Sequence, residues 1–317
     1  MAALAGRALT RMTSPGGKAC VVAIVVNFNA GDVLVRCIRS VLAQDETTTV
    51  IVVDNASADG SAERAVRLFG QDERVTVLRN KDNPGFARAV NQGARHAAAE
   101  GAGQVAGGYL LILNPDCELR TGALAALVEA LDEDPRAALA GPLVMDTAGR
   151  PQRATLRRFP DPWVSLVTFS GLWRLEPWLP AFRGVEAPAG LPQEVTRGEA
   201  VSGACMLVRS EAFVDVGGMD EGYALHCEDL DLMYRLRQKG GHCLFVPQAQ
   251  VEHLQGVSSR SRPLWVHWQK HRGMQRFFLK FQAPCYAAVL RWPFSLLVLA
   301  GIWARFAVTL PLALLRR

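Results

Sequence analysis

Tyr109-Leu-Leu-Ile-Leu-Asn-Pro-Asp-Cys-Glu118 decides how the rest of the chain is read. Five apolar residues in succession suit a strand buried on both faces. Pro115 has no N–H to give a sheet ladder, so the strand should stop there. Asp116, with Asn114 and Glu118 beside it, then falls at the carboxyl end of a central strand. In open α/β sheets that edge is where ligands bind. A carboxylate so placed could hold a divalent cation against a phosphate, because hard cations take few protein oxygens and share the rest with water and phosphate. An Asx-type turn closing the strand explains the same residues without a ligand.

Working outward, Val21 to Asn27, Val50 to Val53 and Val75 to Leu78 read as further strands. Between them lie helical patterns: Val33 to Leu42, Ala62 to Phe69 and Phe86 to about Ala99. Gly122 to Leu131 reads as a helix and Ala138 to Gly141 as a short strand. Such alternation predicts a mostly parallel, doubly wound α/β sheet. The first strand is followed by Asn-Phe-Asn-Ala-Gly rather than Gly-x-Gly-x-x-Gly, which argues against a dinucleotide-binding turn. Gly149 to Gly198 has no clean period and is rich in Pro, Trp and Arg, among them Arg153, Arg157, Trp163 and Trp178. A segment of that kind is a functional lid or a poorly ordered insertion. Val201 to Val208 then reads as a strand, His226 to Gly240 as a helix, and His242 to Val246 and Ala249 to Glu252 as two short strands.

Composition bounds the function. The chain has 317 residues, 50% hydrophobic and 21% charged, enough for a sizeable core. The net charge of +5 is unevenly spread: ten Lys or Arg and no acid follow Glu252, so the first 252 residues carry 25 bases against 30 acids. A basic, apolar tail on an acidic body fits anionic lipid better than nucleic acid. Seven cysteines without a Cys-x-x-Cys pair argue against a zinc site or disulfide framework and for a reducing compartment. Residues 1–18 read as a flexible leader.

Several short motifs could carry chemistry. Asp54, ending the second strand, could accept a hydrogen bond from a nucleotide base or ribose, or close an Asx turn. Asn83-Pro-Gly85 opens a helix bearing Arg88 and Asn91; a helix N-terminus with an Arg could hold a diphosphate, or Arg88 could be a solvated charge. Glu228, Asp229 and Asp231 crowd three carboxylates into one helical turn. One could act as a general base, although helix-dipole electrostatics alone favours acids there. His253 could be a ligand or a core histidine.

In order along the chain stand Asn27-Phe-Asn, Val53-Asp-Asn-Ala-Ser-Ala-Asp-Gly60, Asn83-Pro-Gly-Phe-Ala-Arg-Ala-Val-Asn-Gln-Gly93, Leu113-Asn-Pro-Asp116, Ser202-Gly-Ala-Cys205, Gly217-Gly-Met-Asp220 and Glu228-Asp-Leu-Asp231. This series resembles the family 2 glycosyltransferases, most closely their rhamnosyltransferase-like branch, from about Val21 to Lys280. The resemblance implies a GT-A fold over residues 19–282, with a nucleotide-sugar half (19–145) and an acceptor half (146–282). It implies that Asn27, Asn29, Asp54, Asn55, Gly85, Arg88, Asn91 and Asn114 line the nucleotide-sugar side. Asp116, with Asn114 in place of the first acid of an Asp-x-Asp motif, and His253 would hold Mg²⁺ or Mn²⁺. Residues Gly256, Val257 and Ser258 resemble a segment closing over the diphosphate. Asp229 would be the general base and Glu228 its neighbour and less favoured substitute. The implied reaction is inverting transfer of a deoxyhexose, with dTDP-rhamnose the favoured donor, to a lipid-linked or polysaccharide acceptor. A nucleotidyltransferase would want a Gly-rich basic loop after the first strand, where Asn27 to Asp32 has none; an inactive scaffold is disfavoured by the three intact acids.

Residues 283–317 form an apolar, basic tail. From Pro293 to Leu315 the single charge is Arg305. That length could span a bilayer, yet Arg305 and Pro311 interrupt it. The tail is therefore expected to be an in-plane or re-entrant amphipathic anchor on the cytoplasmic membrane face, with Trp292 and Trp303 at the interface and the basic stretch 260–280 beside it. The alternative is a helix packed on the body or on a second copy, giving a homodimer.

Overall fold

A computed structural model describes residues 20–44, 47–100, 108–186, 190–254 and 263–315. The leader and residues 256–258 lie outside the described residues. The chain enters through β1 (Cys20–Asn27), α1 (Val33–Leu42), β2 (Thr47–Asp54), α2 (Ser61–Phe69), β3 (Val75–Arg79), α3 (Phe86–Ala99) and β4 (Tyr109–Leu113). Strands β3, β2, β1 and β4 lie side by side and parallel. Every residue from Val21 to Val26 in β1 is buried. Because strand side chains alternate, Val21, Ala23 and Val25 enter a core with Leu34 and Ile38 of α1, whereas Val22, Ile24 and Val26 enter another with Ala87 and Val90 of α3. Each fully buried Val or Ile contributes about 1.5–3 kcal/mol of transfer free energy. Two covered faces explain why the strand carries no polar alternation.

The second half adds β5 (Cys117–Leu119), α4 (Ala123–Glu133), β6 (Ala137–Met145), β7 (Leu156–Arg157), α5 (Pro162–Ser170), β8 (Thr196–Gly198), β9 (Ala200–Val201), β10 (Cys205–Arg209), α6 (Ser210–Asp215), α7 (Glu228–Gln238) and β11 (His242–His253). Among the described residues the main sheet runs β3-β2-β1-β4-β10-β6-β11-β5, with β8 also on β11. Strand β10 is antiparallel to both β4 and β6, so the sheet is mixed at its centre.

Several elements differ from their expected form. The expected strand Val201 to Val208 is broken at Ser202–Ala204 into β9 and β10, which belong to different sheets. The two strands expected at 242–246 and 249–252 are one, because β11 absorbs Pro247 in a bulge between Val246 and Gln250. The helix expected from His226 starts at Glu228, since His226 and Cys227 take left-handed φ values of 67° and 70°. Residues 149–198 are organised after all: β7 pairs with β9, and α5 carries an Asp161 cap accepting from Val164 N at 2.8 Å.

The chain ends in α8 (Pro263–Phe277), a short π-helical and 3-10 turn, and α9 (Ala288–Leu315). The described tail is thus one long helix with Pro293 and Pro311 inside it. Its 288–311 stretch is long and apolar enough to cross a membrane. Its second half packs on α8: the Trp268 and Trp303 rings meet at 4.7 Å with a 49° tilt, and the His267 ring stacks 4.8 Å from Phe306. Arg305, the charge that interrupts the run, sits 3.9 Å over the Phe169 ring of α5.

Candidate active site

The strand register collects the motifs at one edge. Asn27 and Asp54 are paired neighbours at the ends of β1 and β2, and β4 finishes beside them, with Val25 opposite Leu113. Asn27 is fully buried and its Nδ2 donates to Asp54 Oδ1 at 2.7 Å and to Ser61 Oγ at 2.9 Å. Ser57 N, three residues on, donates to Asp54 Oδ2 at 3.2 Å, so the same carboxylate also closes the loop after β2. Asp54 is therefore a fixed acceptor at the sheet edge, with its carboxylate oriented by Asn27.

Other residues expected to meet the nucleotide instead hold the loops. Asn29 Oδ1 accepts from Ala58 N at 2.8 Å. Asn55 donates from Nδ2 to Asn83 Oδ1 and to the Gly85 carbonyl, and accepts from Asn80 Nδ2 at 3.0 Å. Asn91, expected at an anion site, is consumed at both ends of its amide. Its Oδ1 accepts from Met219 N (2.8 Å), while Nδ2 donates to Met219 O (2.9 Å) and Glu221 Oε1 (3.0 Å). An amide with both hydrogens taken cannot also grip a diphosphate, so Asn91 is a clasp between α3 and the Gly217–Asp220 motif. Arg88 is 58% exposed and faces Glu221 at 3.6 Å, which corresponds to the solvated-charge reading. Gly85 takes φ 95°, and a side chain there would strike the Ala224 carbonyl at 2.9 Å.

Beyond β4, the Asn-Pro-Asp turn is sewn to its surroundings. Asn114 N donates to Ala204 O at 2.9 Å, and Leu254 N to Asp116 O at 3.0 Å. The second bond brings the end of β11 to Asp116, so that His253 Nε2 lies 3.2 Å from Asp116 Oδ1. Both side chains are nearly buried. Gln152 fixes the imidazole: its Nε2 donates to His253 O at 2.8 Å, which turns its Oε1 toward His253 Nδ1 at 3.2 Å. An amide oxygen only accepts, so Nδ1 carries a proton; Nε2 donates to Asp116 Oδ1 when the ring is an imidazolium and turns a lone pair to it when the ring is neutral. In the neutral ring, the two facing acceptors can share a divalent cation. A carboxylate oxygen with an imidazole nitrogen whose other N–H is anchored suits Mn²⁺ or a similar divalent ion. Cys117 lies within the same cluster. Its thiol is held well above its ordinary pKa by burial and then by the Asp116 charge, and donates to Ala204 O, so it is a packing residue.

Asp229 stands at the start of α7. Arg157 of β7 donates to Asp229 Oδ2 and anchors its own fork on Val201 O. Burial tends to raise the Asp229 carboxyl, but the Arg157 charge and hydrogen bond prevail and hold it below the ordinary value. Glu228 is driven the other way, first by burial and then by the Asp229 charge; its Oε2 is buried with no described partner. The neighbours thus divide into an ionised Asp229 and a neutral Glu228. Gly203, in the turn between β9 and β10, lies directly against the Asp229 carboxylate. Because Ala204 of the same turn meets Asn114, the turn links Asp229 to the Asp116 edge. The left-handed His226 and Cys227 just ahead of Asp229 mark local strain of the kind that gathers at functional sites.

Sequence reasoning did not single out Gln152, Arg157 or Gly203 for these parts. Asp231, counted there as one of three acids, is a scaffold: fully buried, it takes Arg235 at 2.5 Å and Lys280 at 2.6 Å, tying α7 to the segment after α8.

A mostly parallel sheet with β10 reversed, carrying acids at the end of β2, in the turn after β4 and at the start of α7, has the GT-A glycosyltransferase fold. Two solved structures share the fold. The mannosyltransferase PcManGT from Pyrobaculum calidifontis, solved with GDP-Man and Mn²⁺, has a TM-score of 0.56 and 18% identity, covering 98% of this chain and 77% of its own. GalNAc-T7, solved with UDP, GalNAc and Mn²⁺, has a TM-score of 0.57 and 21% identity over 82% of this chain, which spans about half (51%) of that protein. The family model of glycosyl transferase family 2 matches residues 22–187. An N-acetylglucosaminyl-diphospho-decaprenol L-rhamnosyltransferase of Mycobacterium tuberculosis is 31% identical, covering 85% of this chain and 87% of its own length. The rhamnosyltransferase WbbL of Escherichia coli K12 is 29% identical, covering 48% and 54%. The chain belongs to glycosyl transferase family 2, as a rhamnosyltransferase-like member.

Proposed function

We propose that the protein transfers a deoxyhexose, rhamnose foremost, from a nucleotide diphosphate donor to a hydroxyl of a lipid-linked sugar, with inversion. The observation carrying this is the Asp116–His253 pair, 3.2 Å apart, at the edge that Gly203 connects to Asp229. Asp54, oriented by Asn27, accepts from the donor's base. Asp116 and His253 hold a divalent cation, which when bound supplies positive charge to the departing diphosphate. Gln152 keeps His253 in the tautomer that can ligate. Asp229 takes the proton of the attacking acceptor hydroxyl; Arg157 keeps it ionised and Gly203 lets it stand at the edge. Glu228, neutral and inward, is excluded from that role. The relatives that act on rhamnose, one of them on a diphospho-decaprenol acceptor, support both substrate classes.

The membrane reading extends to α9 and α5. Val289, Trp292, Leu297 and Val308 of α9 are 81, 75, 68 and 76% exposed, and Trp178 just after α5 is 76% exposed. Exposed apolar residues of this kind, Trp292 among them, fit the cytoplasmic membrane interface.

The direct test is a screen of nucleotide sugars for nucleoside diphosphate release with short polyprenyl-diphospho-sugar acceptors. Turnover with dTDP-rhamnose that EDTA abolishes and that Asp229→Asn lowers by roughly 10²–10⁴-fold is expected. Undiminished turnover by Asp229→Asn would remove that residue from the base role.

A further inference from the structure

We propose that the cavity between the 222–225 loop, α8 and α9 is the seat of the acceptor's diphosphate, with its polyprenyl chain running out along α9. This rests on the lipid-linked acceptor of the preceding reading and names the place on the chain that takes it.

The cavity measures about 730 Å³, large enough for a diphosphate and the first isoprene units. Its lining includes Arg272, Arg276 and Lys280 and contains no carboxylate. Arg276 and Lys280 are steered by Asp220, at 2.9 and 2.6 Å, which fixes their positions on the wall. Arg272 is exposed and forms no ion pair with a described residue, so its whole guanidinium is available to an anion. Gln269 lines the same space. It is only 8% exposed, and its amide has no hydrogen-bond partner among the described residues. Its amide faces the cavity, where it can donate to a phosphate oxygen.

Two further observations set the orientation. Trp268 and Trp303 close one side, and Trp303 Nε1 donates to Gln275 Oε1 at 2.9 Å. They present ring edges and faces where a headgroup meets hydrocarbon. On the other side the wall is the 222–225 loop, which leads within four residues to Asp229. An acceptor whose diphosphate lies here has the loop leading to Asp229 on one side and α9 on the other, so its sugar is directed toward the first and its lipid along the second.

The test uses the full chain in detergent, with farnesyl diphosphate as the probe and the fluorescence of Trp268 and Trp303 as reporters. A saturable change is expected, with farnesol and inorganic diphosphate each binding at least about tenfold more weakly. Arg272→Ala and Gln269→Ala should each weaken farnesyl diphosphate by about tenfold, and excess dTDP with Mn²⁺ should not displace it. Equal affinity in wild type and both variants, or displacement by dTDP, would overturn the assignment. Inorganic diphosphate binding as tightly as the lipid would show an anion site without the lipid. Failure of the transfer reading looks different: no nucleotide sugar is turned over while the Arg272-dependent binding persists.

Discussion

The α-carbon of Gly203 lies against the Asp229 side chain so closely that a β-carbon at 203 would fall 2.8 Å from Asp229 Cβ, and nearer still to Oδ2. Side-chain carbons do not approach one another that closely, so an added methyl must displace the carboxylate. Gly203→Ala is therefore expected to lower kcat by about tenfold or more with donor affinity little changed, and to lower the thermal transition as well, because the displaced carboxylate is drawn off Arg157. Steady-state kinetics beside a thermal melt checks this. A variant with full kcat would show that the position of Asp229 at this contact does not matter.

Gln152 reaches His253 from 101 positions away in the chain and fixes which nitrogen carries the proton. Removing such an outer partner typically lowers metal affinity about 10- to 100-fold. For Gln152→Ala, the Mn²⁺ concentration giving half-maximal activity should rise by that factor, with kcat partly recovered at saturating metal. Calorimetric titration of Mn²⁺ into the resting protein gives the same quantity without turnover.

Arg157 lowers the Asp229 carboxyl, so the pH dependence has a definite sign. In Arg157→Gln that carboxyl rises toward and above its ordinary value, because burial is no longer opposed. Activity needs the ionised form, and the acidic limb of the kcat profile should move to higher pH. Opening this nearly buried pair, each side chain about 15% exposed, should also cost about 3 kcal/mol of stability. An acidic limb that does not move would dissociate Arg157 from the base.

Glu228 has the opposite signature. A carboxyl whose folded pKa lies above its unfolded value, near 4.3, gives stability that is complete below that unfolded value and is lost as pH rises through the folded one. The wild-type protein should thus lose melting temperature as the pH climbs out of the usual carboxylate range. Glu228→Gln should flatten that decline, as thermal melts from about pH 5 to about pH 9 would show.

The exposed flank of α9 gives a fifth expectation. Leu297→Glu and Val289→Glu alter residues 68 and 81% exposed and touch little of the fold. Each should shift the protein from co-floating with anionic vesicles toward the soluble fraction, by about tenfold in partition.

The strands and helices of the first half were legible because β1 and β4 bury both faces, leaving an unbroken apolar run, while each helix buries one face in a clear period. Asp54, Asp116 and Asp229 were legible because each sits in a short motif that ends a strand or opens a helix. The partners of these acids were not. Arg157 lies 72 positions from Asp229 and Gln152 101 from His253, in a stretch without periodicity, and only the folded sheet brings them together. Asn55 and Asn91 misled for the same reason: an Asn in a motif reads as a ligand group until the loops that consume its amide are seen. The reversal of β10 also escaped, because a buried strand has the same composition in either direction.

The 222–226 loop is pinched between two glycines, with the Ala224 carbonyl against Gly85 on the nucleotide side and the His226 carbonyl against Gly273 on α8. Neither neighbour has a side chain to yield, so the loop has no slack. A shift of a few tenths of an ångström at one end must be passed to the other, which makes this stretch a mechanical relay between the two halves. Enlarging either glycine should therefore disturb the kinetics of the distant substrate as much as those of the near one.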